Sequence, residues 1–290
     1  MSAAARRCRR CWRRPRTWTR VFAPCVFLLA VFVAAGEARG QSRGSILVQS
    51  TTSAENSGLY DFILPRFRAE SGWSVRVVAV GSGQALRNAR DGNADLVIVH
   101  DPAAEEEFVS AGFGVARHPF MYNDYVLVGP GRDPAAVRDA ATAADAFGRI
   151  AAAGVTFISR GDDSGTHRRE LGLWGLDVGG EWYRESGSGM GATLNLAVAL
   201  DGYTLSDRAT WAAFANKGGL EILYEERGGG GGGDLFNQYS VIRVNPELHP
   251  HVEGGGAAEF VGWLLSAGGR EAIEAFRVGG EQVFFANSEE

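Results

Sequence analysis

The sequence predicts an α/β chain folded as two lobes around a cleft, and three observations predict it. Apolar runs of strand length alternate repeatedly with stretches at helical spacing, separated by small polar turns, which is the pattern of α/β architecture. The 290 residues, 45% of them hydrophobic, supply a core for each of two modest lobes. Two apolar stretches, residues 123–130 and 238–244, are placed to leave the first lobe and to return to it.

The elements follow in order. Residues 45–50 (SILVQS) read as a short strand that runs into Thr51-Thr52-Ser53. Leu59, Phe62, Ile63 and Phe67 recur at helical spacing, and Pro65 is expected to bend or end that helix. Residues 75–80 form the next strand, followed by Gly81-Ser82-Gly83 and a helix through Leu86 to Arg90. Residues 94–100 (ADLVIVH) are nearly all apolar, as in a parallel sheet covered on both faces. Between the crossing stretches come a strand at 156–159, a helix from His167 and another behind residues 187–191. Beyond the return lie helices around residues 260–265 and through Ile273 and Phe276. On this reading residues 41–124 and 241–290 form lobe 1 and residues 125–240 form lobe 2. The unbroken glycine run at 228–233 has no side chain to offset the entropy of ordering, and a mobile loop is expected there.

The first forty residues differ from the rest. Eight arginines between Arg6 and Arg20 precede an uncharged apolar run at 21–35, followed by small residues. That is the make-up of a secretory signal, and the run is short for a membrane span. Residues 1–40 are therefore expected to direct export to the periplasm. They hold nine Arg and one Glu, so of the net charge of −5 the remainder of the chain carries −13. So acidic a domain is a poor partner for nucleic acid, and any anion site in it must be a local arrangement of donors. Cys8, Cys11 and Cys25 all lie in the leader, leaving the rest without a disulfide or thiolate metal site. Lys217 is the sole lysine and Gly218 follows it, which excludes a Gly-Lys-Ser/Thr phosphate loop.

Four strand-to-helix turns carry the chemistry: Thr51-Thr52-Ser53, Gly81-Ser82-Gly83, residues 160–166 (RGDDSGT) and residues 187–193. Each puts hydroxyls or glycines where a helix begins, and helix starts offer unpaired N–H groups and a partial positive charge to an anion. Taken singly, each is also an ordinary cap or turn. Arg160 follows a strand expected to be buried, so it is paired with a carboxylate, held for a ligand, or both. Asp162 and Asp163 are the near partners, and Ser164-Gly165-Thr166 offers hydroxyls and free N–H groups beside it. Trp174, Trp182, Trp211 and Trp263 lie outside these turns and read as packing residues. His249-Pro250-His251 reads as a surface loop, because two histidines without further ligands make no metal site.

An Arg-x-Asp-x-Ser-Gly-Thr turn after a strand resembles the phosphate- and tungstate-type solute-binding proteins of ABC importers. The stretches TTS (51–53), VAVGSGQAL (78–86), VHD (99–101) with AAEE (103–106), MYND (121–124), SRGDDSGTH (159–167) and GMGATLN (189–195) narrow the resemblance to the tungstate-binding family, from about residue 45 to residue 287. The glycine run departs from it, standing where a shorter loop is expected. The resemblance implies a type II periplasmic binding protein fold with dehydrated tungstate in the interlobe cleft. It implies contacts from Thr51, Thr52 or Ser53, from Ser82 with Gly83, from Arg160, Ser164, Gly165 and Thr166, and from Gly191 in the fourth turn. It implies no catalytic residue, no metal site and no cofactor, a permease of the ABC transporter as partner, and a monomer. Tungstate and molybdate share shape and charge, and nothing in the residues separates them. A protonated phosphate needs a carboxylate acceptor as well as donors, for which Asp101 and Asp162 are available. The competing reading is a secreted hydrolase using Ser164 with His167, against which stands the lack of a Gly-x-Ser-x-Gly elbow.

Overall fold

The computed structural model describes residues 43–175, 177–226 and 233–287. The leader and all but Gly233 of the glycine run lie outside the described residues.

The first lobe opens with β1 (Gly44–Thr51), α1 (Thr52–Asn56), α2 (Leu59–Ser71), β2 (Trp73–Val80), α3 (Ser82–Arg90), β3 (Leu96–Val99) and α4 (Pro102–Ser110). The long β4 (Gly114–Pro130) then leads to α5 (Ala143–Ala153), β5 (Phe157–Ser159), α6 (Gly165–Trp174), β6 (Tyr183–Glu185), α7 (Met190–Leu200), β7 (Thr204–Asp207), α8 (Arg208–Ala213) and β8 (Leu220–Glu225). β9 (Phe236–Val244) returns to the first lobe, which α9 (Gly254–Leu265), α10 (Ala267–Ala275) and β10 (Phe285–Ala286) complete.

The strand order is β10-β4-β9-β3-β1-β2, with β7 and β8 joined to β4 and a separate parallel pair of β5 and β6. β1 pairs in parallel with both β2 and β3. β4 serves both lobes. Its first half runs antiparallel to β9 as far as Asp124–Phe236, and its second half pairs with β7 from Tyr125 and with β8 from Val126. β4 and β9 are thus the two crossing strands, and β4 begins well before the stretch expected from sequence because Gly114–Phe120 ladders on β9.

β3 shows why its run is wholly apolar. Leu96 and Ile98 face one core with Ile46, Val48, Tyr239, Phe260 and Phe284, while Val97 and Val99 face another with Ala85, Leu86 and Phe108. The period of two therefore buries both faces. The second lobe has its own apolar clusters, one around Phe147, Phe157, Trp174, Tyr203 and Leu205 and one around Val126, Val128, Met190, Leu194 and Trp211. Trp174, Trp211 and Trp263 are buried in these clusters, and Trp182 packs against one of them.

Pro65 neither ends nor replaces a turn of α2, which runs through it. Pro65 and Asp61, the residue whose carbonyl loses its partner, both lie on the exposed face, so water can satisfy that oxygen. Leu59, Tyr60, Ile63 and Phe67 anchor the other face. Buried apolar area outweighs the roughly 3 kcal/mol that an interior proline costs.

Candidate functional site

The helices behind three of the four turns begin without a side-chain cap. Thr51, Gly81 and Gly189 occupy the N-cap positions of α1, α3 and α7, and none donates or accepts a capping bond. By contrast Asp101, Thr142, Ser164, Asp207, Glu253 and Ser266 each accept a backbone N–H at the start of α4, α5, α6, α8, α9 and α10. Uncapped helix starts keep N–H groups available.

The turns meet across the molecule. A methyl group added to Gly81 would lie 3.5 Å from Ser164 Cβ, and one on Gly189 would lie 3.6 Å from Thr52 Oγ1. Two of the glycines are required by close approach: a Cβ on Gly83 would sit 2.7 Å from Asp163 Oδ2, and one on Gly165 would sit 2.8 Å from the His100 ring. Into this convergence two turns bring a buried hydroxyl with no hydrogen-bond partner, Thr52 Oγ1 and Ser82 Oγ, and a third brings Thr166 Oγ1, whose neighbour is the Tyr125 hydroxyl. Leaving a buried polar group unsatisfied costs about 1–3 kcal/mol, so two such hydroxyls on two turns are the kind of donor an anion would use. His167 Nε2 and Asp207 Oδ2 are also unpartnered.

Arg160 is the cation of the site. Its side chain is 3% exposed, and its Nε and Nη2 both donate to one oxygen, Asp162 Oδ2, at 3.2 and 2.5 Å. Asp162 Oδ1 accepts from Ser164 N at 3.2 Å. One carboxylate thus orients the guanidinium and ties it to the Ser-Gly-Thr segment, and no described residue accepts from Nη1. Of the alternatives raised for Arg160, the pairing with a nearby carboxylate is what the contacts show, on one edge of the guanidinium.

The remaining expected residues divide. The Thr51 and Ser53 hydroxyls are bonded to each other at 3.1 Å, and Ser53 Oγ also contacts Tyr239 Oη at 3.2 Å and His100 Nε2 at 3.4 Å. Ser164 Oγ caps α6 by accepting His167 N. His167 Nδ1 accepts Asp163 N, so neither ring nitrogen reaches Ser164. Gly191 lies inside α7 with open space where a side chain would be, whereas Gly189 is the glycine that faces Thr52. Asp101 and Asp162 are both engaged, Asp101 by Ala104 N and by Arg168 Nη1 at 2.7 Å. His249 and His251 bond the Arg90 and Gly92 carbonyls, and among the described residues no group of three or more His, Cys, Asp or Glu could hold a metal ion.

A model of the PBP superfamily domain matches residues 35–267. The tungstate-binding protein TupA of Peptoclostridium acidaminophilum is 44% identical over 231 residues, which is 78% of this chain and 79% of that protein. The chain belongs to this tungstate-binding family of the PBP superfamily. Two solved structures resemble it closely. TupA from Desulfovibrio alaskensis G20 matches with TM-score 0.70 and 41% identity over 85% of this chain and all of that one. The tungstate ABC transporter protein from Geobacter sulfurreducens matches with TM-score 0.73 and 42% identity over 80% of this chain and 98% of that one.

For a member of this family two electrostatic features stand out. At the rim, Arg168 of α6 bonds Asp101 at 2.7 Å and Asp163 at 2.9 Å, and Asp163 in turn pairs with Arg87 of α3 at 3.3 Å. These pairs link the third turn to the first lobe. Burial pushes the Asp163 carboxyl up, but Arg168 and Arg87 outweigh it and hold it below its ordinary value. At the floor, His100, Asn123, Tyr125, Asp207, Asn237 and Tyr239 are all buried. Burial first, then the Arg160 charge, holds His100 down to about 3, so the ring is neutral at physiological pH. Burial pushes the Asp207 carboxyl up, against the Thr210 bonds and Arg160. His100 and Asn123 fall within the VHD and MYND stretches, but sequence reasoning gives none of these floor residues a role. Their signal was polar residues at strand ends and on the crossing strands, where apolar ones would otherwise stand.

Proposed function

We propose that the protein is the substrate-binding component of an ABC importer, exported to the periplasm, and that it holds tungstate or molybdate as the bare dianion in the interlobe cleft. The observation that carries the reading is the pair of buried, unpartnered hydroxyls of Thr52 and Ser82 on turns that converge with the turn of Arg160, whose pairing uses one edge of its guanidinium. A fully ionised oxyanion accepts hydrogen bonds and donates none, so the unpartnered hydroxyls and the free edge of the guanidinium suit it. The two carboxylates that the turns offer to a protonated phosphate, Asp101 and Asp162, are already occupied. Uncapped N–H groups of α1, α3 and α7 add neutral donors.

Charge-assisted hydrogen bonds contribute about 1.5–3 kcal/mol each, and nanomolar affinity needs about 12 kcal/mol. Six such bonds, less the cost of closing the lobes, reach that range. In this reading residues 41–124 with 241–290 close against residues 125–240, β4 and β9 act as the hinge, and the closed monomer docks on the permease. Binding, not hydrolysis, fits Ser164, whose hydroxyl is a helix cap out of reach of the His167 ring.

Isothermal titration with tungstate, molybdate, phosphate and sulfate tests the proposal. Tungstate or molybdate is expected to bind far below millimolar and tighter than the other two. Failure of both to bind tighter than millimolar would overturn it.

A further inference from the structure

The floor of the cleft holds a chain of polar side chains whose direction can be worked out. Asp207 Oδ1 accepts Thr210 N–H at 2.9 Å, so this oxygen is an acceptor whatever the protonation of the carboxyl. The Asn123 amide at 3.5 Å therefore turns its Nδ2 toward it. Asn123 Oδ1 then faces Asn237 and accepts from Asn237 Nδ2 at 2.6 Å. That leaves Asn237 Oδ1 pointing at His100 Nδ1, 3.0 Å away. An amide oxygen cannot donate, so Nδ1 carries the ring proton and Nε2 has the lone pair. The neighbour at Nε2 is the Ser53 hydroxyl, at 3.4 Å.

Reversing the tautomer reverses every link. His100 would need Asn237 flipped, which sets two amide oxygens 2.6 Å apart unless Asn123 also flips. A flipped Asn123 would set its oxygen against Asp207 Oδ1, which Thr210 already uses as an acceptor.

We propose that His100 is a positioning residue: as the Nδ1–H tautomer it accepts the Ser53 hydroxyl proton and so fixes the first turn for the oxyanion. The assignment rests on the ligand reading above and sharpens it. Ser53 Oγ donates to His100 and has two lone pairs left, which Thr51 Oγ1 and Tyr239 Oη fill at 3.1 and 3.2 Å. The protons of Thr51, Ser53 and Tyr239 are then all committed inside the protein. Of the three hydroxyls in Thr51-Thr52-Ser53, the Thr52 hydroxyl alone remains for the ligand, and it is the one without a partner. Ser53 contributes through its backbone.

The same ring serves the third turn, because Gly165 packs so closely on it that a Cβ there would lie 2.8 Å from Nδ1. His100 stands at the end of β3, Tyr125 Oη lies 3.0 Å from its Nδ1, Asn123 and Tyr125 belong to β4, Asn237 and Tyr239 to β9, and Asp207 ends β7. The relay therefore ties the first turn to both strands that join the lobes. A neutral acceptor suits this place, since a second cation beside Arg160 would be buried without a partner.

Two measurements on the whole protein test the proposal. The first needs no ligand: nitrogen NMR of the five histidine rings, with His100 assigned by its loss in His100→Gln. The groups that face this ring are Arg160, Asn237, Tyr125, Tyr239 and Ser53, with Asp207 two amides further along the chain, and the Nδ1–H pattern is expected to persist unchanged from pH 4.5 to 9. An Nε2–H pattern, or a midpoint inside that range, overturns it. The second is tungstate titration. His100→Phe removes both ring nitrogens and is expected to weaken binding by about tenfold or more, the usual scale for a group that orients a ligand contact. His100→Gln, which can return an acceptor oxygen to Ser53, is expected to recover most of that loss. Ser53→Ala is expected to add less than about twofold in the His100→Phe background, because the two act through one bond. Equal affinity of folded Phe and Gln variants, or multiplying effects of His100→Phe and Ser53→Ala, would overturn the assignment. Should the wild type bind neither tungstate nor molybdate, the ligand reading falls, and the NMR arm still decides the tautomer.

Discussion

Arg160 and Arg208 are both largely buried, yet they are held in opposite ways. Arg208 donates from Nε and Nη2 to the two oxygens of Asp124 at 2.7 and 2.5 Å, and from Nη2 also to Glu225 at 2.7 Å. Burial works against its charge, but the two carboxylates outweigh that and raise its pKa above the ordinary value. Arg160 has one carboxylate, engaged through a single oxygen. The first guanidinium is shared between two carboxylates. The second arrangement is neutral overall, is surrounded by a neutral His100, and keeps one edge of the guanidinium free of protein acceptors. A buried arginine is thus informative through the number of acceptors it lacks, not through its burial.

This contrast can be broken by experiment. Arg208→Ala removes the guanidinium that Asp124 and Glu225 share, and we expect the largest effect here, a loss of about 3 kcal/mol in stability. Urea denaturation should show it, while tungstate affinity of the folded fraction stays within a few-fold of wild type. Arg160→Ala should do the converse. Tungstate affinity falls at least tenfold, about 1.4 kcal/mol or more, with the melting transition retained. An unfolded Arg160→Ala protein would make both arginines structural.

A finer comparison lies within the first turn. Thr52→Val removes the unpartnered hydroxyl and should weaken tungstate by roughly tenfold, in keeping with about 1.5 kcal/mol for a hydrogen bond to a charged group. Thr51→Val, whose hydroxyl is committed to Ser53, should cost less than about threefold by the same scale. Calorimetry on the pair reads the difference directly. The smallest effect belongs to the rim. Asp163 is half exposed, so Asp163→Asn should speed tungstate release by no more than about threefold, as exposed ion pairs contribute little. Its carboxyl is held below its unfolded value, so its contribution is present above about pH 4 and fades as pH falls through the lower folded value. Stopped-flow release and thermal melts between pH 3 and 6 should show the wild type losing this increment and Asp163→Asn lacking it.

Much of the framework was legible residue by residue. The apolar run of β3 announced a strand buried on both faces, and the Thr-Thr-Ser, Gly-Ser-Gly and Arg-Gly-Asp-Asp-Ser-Gly-Thr segments announced helix starts, since caps and turns are encoded locally. The pairing of Arg160 with Asp162 was within reach because the two are two positions apart. Pro65 does not end α2, because its neighbours' burial and not its own propensity decided the helix's length. Gly191 lies in the uncapped first turn of α7, and only the structure shows that it is Gly189 that packs near Thr52.

What the sequence by itself determined, then, is the set of strands, the turns between strand and helix and the kinds of donor placed in them, because each depends on contacts within a few residues. Which donors stay unpaired was decided by the tertiary structure. Ser53 meets His100 and Tyr239 from 47 and 186 positions away, and Thr52, its neighbour, meets no acceptor. A hydroxyl's availability is a property of everything around it, and that surrounding exists only once β3, β4 and β9 have come together.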